Sequence, residues 1–72
     1  MDHKNIDNNI KILRLINDSM SQQTLSELVG CTRQTIISIE QNKYNPSLLL
    51  SAKIANVFNV TIEEVFTINF KE

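Results

Sequence analysis

The 72-residue sequence is poor in the residues that break helices, cross-link chains or span membranes. It has one Gly, one Pro, one Cys and no Trp, and its longest apolar run is Leu48-Leu49-Leu50. One Cys excludes an internal disulfide and a cysteine metal cluster, and it suits a reducing compartment. Three apolar residues are far fewer than the roughly 20 that cross a bilayer. We therefore expect a cytoplasmic protein without a membrane segment.

Side chains that carry enzyme chemistry are equally scarce. One His, one Cys and one Gly leave no material for a catalytic triad, a metal-ligand set or a phosphate-binding loop. A chain of this length also has little room for a pocket of ordinary size. The sequence therefore indicates a protein that is not an enzyme and that needs no cofactor or metal.

Charge is nearly balanced overall, with 7 Lys and Arg against 8 Asp and Glu, but it is unevenly distributed. Residues 32–53 hold the three cations Arg33, Lys43 and Lys53 against the single anion Glu40, a net charge of +2, which leaves −3 for the rest of the chain. A strongly basic nucleic-acid coat is excluded. A local basic face on an acidic protein permits DNA binding without demanding it.

Helical periodicity recurs in five segments, which predicts an all-α, five-helix domain over residues 1–66. Gly30 lies between the second and third helices and suits a left-handed backbone, so these two helices flank a tight turn in the helix-turn-helix layout. The predicted helices are residues 6–18, residues 22–29 after a Ser21 cap, residues 33–41 after a Thr32 cap, one from Pro46 after an Asn45 cap, and a short one after Thr61 that ends near Phe66.

The same periodicity predicts the core, and Leu28→Ala is expected to cost about 2–5 kcal/mol of stability as a core truncation. The predicted core residues are Leu25, Leu28, Ile36, Ile39, Ala52, Ala55 and Phe58.

The tail, residues 67–72, follows a different pattern. Phe66, Ile68 and Phe70 alternate with polar residues, which is the period of a β-strand. A lone strand cannot satisfy its own backbone, so it must pair either with the N-terminal residues or with a second subunit. We expect Phe66, Ile68 and Phe70 to form a dimer contact. The alternative is pairing within the chain, with dimers formed through the fifth helix and Leu49 or Leu50.

Residues 20–66 resemble the lambda-repressor-like, Cro/Xre family of helix-turn-helix regulators. Residues 20–36 are similar to that family's second and third helices, residues 39–48 to the loop after the recognition helix, and residues 53–66 to the closing helices. The alternating tail is similar to that of the smallest dimeric members. The resemblance implies a homodimeric transcriptional regulator, a repressor, that binds double-stranded DNA.

The family also pairs an Arg of its first helix with the Glu that matches Glu40. Arg14 lies one residue further from Gln22 than the family's Arg does. The resemblance therefore implies an Arg14–Glu40 pair across a turn that is one residue longer.

The third helix is expected to turn one face towards DNA. At about 100° per residue, Gln34, Ile37 and Ser38 lie opposite Ile36 and Ile39. The resemblance implies that the N-terminal end of this helix enters the major groove.

Each side chain expected to face DNA is suited to a particular group of the DNA. Arg33 is suited to guanine and Gln34 to adenine, each through two hydrogen bonds. Ile37 either contacts a thymine methyl or leans on the loop around Tyr44, and Ser38 contacts a base or a phosphate.

Backbone phosphate is expected to contact polar residues at helix starts and in the loop after the third helix. For Gln22 the resemblance implies a contact with backbone phosphate, and helix N-termini favour anions in general. These residues are Gln22, Thr32, Lys43, Tyr44 and Asn45. The alternative function is a protein-interaction or antitoxin module on the same fold with weak DNA binding, which the acidic sequence pI of about 5.7 favours.

Overall fold

A computed structural model describes residues 5–69 of the chain, and the five predicted helices are present in it. A two-stranded antiparallel sheet closes the fold, with Ile6 opposite Ile68. In chain order the elements are β1 (Asn5–Asn8), α1 (Ile10–Ile16), α2 (Gln22–Val29), α3 (Arg33–Glu40), α4 (Leu48–Val57), α5 (Ile62–Val65) and β2 (Phe66–Asn69).

The N-terminal residues correct the predicted first helix. Residues 5–8 form β1 and pair with β2, so α1 begins at Ile10 and not at Ile6. The alternating tail needs a partner for its backbone, and of the two partners left open the structure shows the chain's own N-terminus. At the other end of α1, Ile16 is 74 % exposed.

The turn between α1 and α2 uses two left-handed residues, Asp18 (φ 61°) and Ser19 (φ 52°). Asp and Ser are short polar residues, and Asp in particular tolerates this conformation better than bulky ones do. The turn places the carbonyl oxygen of Met20 within 2.8 Å of Nη1 of Arg14. The longer turn therefore accommodates the shifted Arg14.

Most helix ends follow the predicted capping. The side chains of Ser21, Thr32 and Thr61 each accept a hydrogen bond from the backbone N–H three residues on, and Thr61 forms a capping box with Glu64. Gly30 (φ 78°) ends α2 in the left-handed conformation. These ends are fixed locally, because each cap satisfies N–H groups that the helix itself leaves unpaired.

The predicted start of α4 is wrong by two residues. Ser47, and not Asn45, is the N-cap, and its hydroxyl accepts a hydrogen bond from the Leu50 N–H at 3.1 Å. Pro46 therefore precedes the helix instead of opening it. The Ser51 hydroxyl also donates to the carbonyl oxygen of Ser47 at 2.9 Å, which secures the first turn.

The core confirms five of the seven predicted residues and corrects the other two. Leu28 is 58 % exposed, because Ser26 takes the inner face of α2 and donates its hydroxyl to the carbonyl oxygen of Gln23 at 2.7 Å. Ala52 is exposed because α4 turns Ser51 inward instead. The buried hydrophobic residues are Ile10, Leu25, Val29, Ile36, Ile39, Ile54, Ala55, Phe58, Val65 and Phe66.

An ion pair joins α1 to α3 inside this framework. Nε of Arg14 lies 2.7 Å from Oε2 of Glu40, and Nη2 lies 3.1 Å from Oε1, with each side chain 9 % exposed. Such a two-point contact between guanidinium and carboxylate is among the strongest hydrogen-bonded pairs in proteins. The Arg14–Glu40 pair implied by the family resemblance is confirmed.

The two leucines of α2 should differ sharply on truncation. Leu25→Ala should lower the free energy of unfolding by about 2–5 kcal/mol, because Leu25 is fully buried. Leu28→Ala should change it by about 0.5 kcal/mol or less, since Leu28 is a surface residue. Urea unfolding of both variants measures this, and equal losses would contradict the assignment of the inner face.

The ion pair should matter more than a surface charge. Glu40→Gln leaves the Arg14 guanidinium buried without its counter-charge, so it should cost about 3–5 kcal/mol of unfolding free energy. Glu27→Gln is the control, because Glu27 is exposed and accepts a hydrogen bond from the uncharged side chain of Gln23. Denaturant unfolding at neutral pH compares them, and a Glu40→Gln variant as stable as the control would refute a stabilising pair.

Candidate nucleic-acid interface

Helices α2 and α3 meet at a turn of Gly30, Cys31 and Thr32. The Cys31 N–H donates to the carbonyl oxygen of Ser26 at 3.0 Å, which holds the turn against the end of α2. Cys31 itself is partly buried against the core, and this burial raises the pKa of its thiol. Cys31 thus packs as a small hydrophobic residue.

Helix α3 divides cleanly into an inner and an outer face. Ile36 and Ile39 are buried in the core, whereas Arg33 and Gln34 are exposed at the N-terminal end. The outer face continues with two half-buried residues, Ile37 and Ser38. Nε2 of Gln34 lies 3.4 Å from Oγ of Ser38, so these two polar side chains are neighbours on one helix face. The residues predicted to contact bases therefore share one surface.

The loop after α3 lies beside that surface. The Lys43 N–H donates to the carbonyl oxygen of Ser38 at 2.9 Å. A shallow groove between helix and loop is lined by Gln34, Thr35, Ser38, Lys43 and Tyr44. Asn45 is exposed one residue further along the same loop. Two predicted base contacts, Gln34 and Ser38, thus face the same groove as the predicted phosphate contacts Lys43 and Tyr44.

Gln22 occupies the other side of α3, and the structure adds a contact that the sequence did not suggest. Its Nε2 donates to Oε1 of Glu40 at 3.1 Å. A carboxylate only accepts hydrogen bonds, so Gln22 must turn its amide nitrogen towards Glu40. Glu40 therefore orients the side chain expected to contact phosphate. The open cleft at this point is lined by Arg14, Ser21, Gln22, Gln23 and Arg33.

Two further polar residues, which were not predicted to contact DNA, border the same region. Lys11 and Gln41 line a second cleft together with Gln22 and Ile37. Lys11 lies three residues before Arg14, so the two share a face of α1, and the Arg14–Glu40 pair brings that face to α3. This spacing was the available signal, but it identifies Lys11 only once the ion pair is known.

The predicted dimer residues do not form one exposed stripe. Phe66 is buried in the chain's own core, so little of its side chain is left for the expected dimer contact. Ile68 is 53 % exposed, and Phe70 lies outside the described residues. Ile68 instead borders an apolar groove between α4 and the sheet, lined by Ile6, Pro46, Leu48, Ser51, Ile62, Phe66 and Ile68.

Residues 5–69 hold no group of three or more His, Cys, Asp or Glu side chains arranged to bind a metal ion. Among the described helices, none has the length and hydrophobicity needed to cross a bilayer.

Known proteins are similar to this chain in both sequence and fold. The family model HTH_3, helix-turn-helix, matches residues 10–65. An uncharacterized HTH-type transcriptional regulator of Archaeoglobus fulgidus is 48 % identical over 54 residues, which cover 75 % of this chain and 76 % of that protein. Another, of Methanocaldococcus jannaschii, is 46 % identical over 59 residues, which cover 82 % and 88 %.

Two solved structures are similar at the level of the fold. A candidate DNA-binding protein from Bacteroides fragilis has a TM-score of 0.73 and 29 % identity, with 86 % of this chain and 98 % of that chain covered. The transcriptional regulator VanUg also has a TM-score of 0.73, at 21 % identity, with 99 % and 93 % covered. This chain belongs to the Cro/Xre-type helix-turn-helix family of transcriptional regulators, which are DNA-binding proteins and not enzymes.

Proposed function

We propose that this protein represses transcription by binding an inverted-repeat operator, with α3 of each subunit in the major groove. The observation that carries the proposal is the free outer face of α3. Arg33 and Gln34 stand exposed at its N-terminal end while its inner face is occupied by the core. Arg and Gln can each bind a base edge through two hydrogen bonds, and the N-terminal end is the part of this helix that enters the groove.

Groups suited to phosphate lie on both sides of these base-contacting residues. On one side is the loop of Lys43, Tyr44 and Asn45, and on the other the cleft with Gln22 and Lys11. Thr32 caps α3 between them. Phosphate contacts of this kind fix the register of a protein on DNA, while base contacts select the sequence.

The local charge supports the same surface. Glu40 is the one acidic residue within residues 32–53, and Arg14 lies against it as an ion pair. Arg33, Lys43 and Lys11 then give this surface a positive charge although the whole chain has a net charge of −1. Positive side chains that neutralise phosphates supply most of the non-specific affinity for DNA.

The apolar groove between α4 and the sheet is the proposed dimer contact. Leu48 is 76 % exposed, and Leu49 and Ile68 are also largely exposed. Leu48 and Ile68 line this groove, and burying an aliphatic side chain gains about 1.5–3 kcal/mol, so a second copy seated here would shelter both of them. A two-fold dimer would set its α3 helices about 34 Å apart, one turn of DNA, which requires an inverted repeat.

Repression needs no further machinery in this proposal. A dimer that occupies an operator beside a promoter blocks access of the transcription apparatus by its presence alone. Because the target is chromosomal DNA, a cytoplasmic location belongs to the same proposal.

Selection of bound sequences from a random DNA pool tests the base contacts. Gln34→Ala should relax preference at particular positions of the selected site and cost about 1–3 kcal/mol of specific binding. Lys43→Ala should instead weaken binding to every sequence and lower the salt slope by about one. Lys53→Ala is the charge-matched control, since Lys53 is exposed on α4 and does not line the groove.

Two results of that experiment would count against the proposal. Unchanged base preference in Gln34→Ala would show that α3 does not select the sequence. Absence of DNA binding by the wild type even at low salt would favour a protein-interaction module.

Sedimentation tests the dimer contact. Ile68→Glu in β2 and Leu48→Glu in α4 each place a charge in the proposed interface, so both should turn a dimer into monomers and weaken binding to the selected site. Ile16→Glu is the control, because Ile16 is about as exposed as Leu48 but does not line the groove. A monomeric wild type, or variants that remain dimeric, would reject this interface.

A further inference from the structure

Asn8 joins three elements at a point outside the surfaces described so far. Its Nδ2 donates to the carbonyl oxygen of Ile39 and to Oδ1 of Asn42, each at 2.9 Å. Its Oδ1 accepts from the Ile10 N–H at 3.1 Å. Asn8 therefore uses both amide hydrogens and its carbonyl oxygen. It connects the end of β1 and the start of α1 to the C-terminal end of α3.

Asn42 is the second member of this cluster. It adopts the left-handed conformation (φ 60°), and its backbone N–H donates to the carbonyl oxygen of Ile39 at 2.9 Å. Its Nδ2 lies 3.4 Å from Oδ1 of Asp7. Asn42 is the residue at which the chain leaves α3 and enters the loop of Lys43, Tyr44 and Asn45. The Asn8–Asn42 contact thus fixes the direction in which this loop departs.

Loop order matters because Lys43, Tyr44 and Asn45 are exposed. A loop that must be ordered on binding loses part of the free energy of its new contacts to that ordering. The Lys43 N–H to Ser38 bond holds the start of the loop against α3. The asparagine cluster, Asn8 and Asn42, holds the residue just before this loop by a hydrogen bond from β1.

We propose that Asn8 and Asn42 are positioning residues for DNA binding. Their hydrogen bond holds the loop in one geometry relative to α3, so that phosphate contacts and base contacts meet DNA together. This proposal rests on the proposed role of the loop in phosphate binding. It adds that residues of β1, which do not line the groove between α3 and the loop, determine how tightly the protein binds.

Asn42→Gly is the most selective test of this proposal. Glycine adopts positive φ at little cost, so this variant removes the side-chain contact and leaves the backbone conformation in place. Asn59→Gly is the matched control, because Asn59 has nearly the same conformation (φ 57°) at the end of α4, away from the loop. The probes are the best duplex from the random-pool selection and a scrambled duplex of the same composition.

We expect Asn42→Gly to weaken binding to both duplexes by about 3- to 10-fold, the loss typical of ordering one or two side chains on binding. Asn59→Gly should bind as the wild type does. Unfolding curves of both variants establish that each is folded at the temperature of the binding assay. Wild-type affinity in Asn42→Gly would overturn the proposal.

A second variant approaches the contact from the strand. Asn8→Asp keeps an oxygen that accepts from the Ile10 N–H but replaces the Nδ2 donor with an oxygen that faces two others. Asn9→Asp is its charge-matched control, since Asn9 lies next to Asn8 and its Nδ2 donates to the carbonyl oxygen of Glu64 at 3.1 Å instead. Asn8→Asp should lose at least about 3-fold more affinity than Asn9→Asp, and equal losses would contradict positioning by Asn8.

Combining these variants with Lys43→Ala distinguishes the positioning role of Asn8 and Asn42 from the phosphate contact of the loop itself. The loss caused by Lys43→Ala should shrink in the Asn42→Gly background, because a misplaced loop has less contact to lose. Additive losses would overturn the positioning role while leaving the loop's role intact. If Lys43→Ala had no effect in the wild type, the loop would not bind phosphate and the positioning role would fail with it, whereas the role of α3 would still be decided by Gln34→Ala.

Discussion

Arg14 and Glu40 meet in the interior of the fold, and most of the functional geometry follows from their contact. The carboxylate binds the guanidinium through both of its oxygens, and it also accepts from Gln22. The guanidinium in turn donates to the carbonyl oxygen of Met20. Two charges removed from water in this way are tolerated only when such hydrogen bonds satisfy them. The pair therefore fixes α1, the start of α2 and the end of α3 relative to one another.

This constraint explains why one face of α3 is available for DNA. Ile36 and Ile39 hold the inner face in the core, and the ion pair holds the last turn against α1. Arg33 and Gln34 are left on the outer face. The asparagine cluster secures the same helix end from β1, so polar contacts reach α3 from two directions. A rigid helix with an unoccupied outer face can present its side chains in one geometry.

The sequence predicted features that depend on neighbouring residues and missed those that depend on distant ones. The caps at Ser21 and Thr32 and the left-handed Gly30 depend on neighbouring residues alone, and the structure confirms them. The start of α1 was wrong because Ile6 and Ile10 have helical spacing, whereas the partner of β1 lies about 60 residues away in the chain. The outer face of α3 could be predicted from helix periodicity, because that pattern depends only on residues within one helix.

Other errors came from polar residues turned inward. Leu28 is more hydrophobic than Ser26, so the sequence pattern predicts that Leu28 is the buried residue of the two. The Ser26 hydroxyl, however, donates a hydrogen bond within its own helix, and Ser26 can therefore be buried. The roles of Asn8 and Lys11 depend on which helix ends meet, and no spacing within one segment encodes that. The Arg14–Glu40 pair was accessible through family resemblance, since its partners are 26 residues apart.

A titration of ¹⁵N-labelled protein with the duplex selected from a random pool tests most directly that α3 and its loop form the DNA surface. The largest amide shift changes should fall at Gln22, residues 32–38 and residues 43–45. The exposed apolar residues of α1, such as Ile12 and Ile16, should change little. Changes concentrated on α1, with α3 and the loop unaffected, would contradict this assignment.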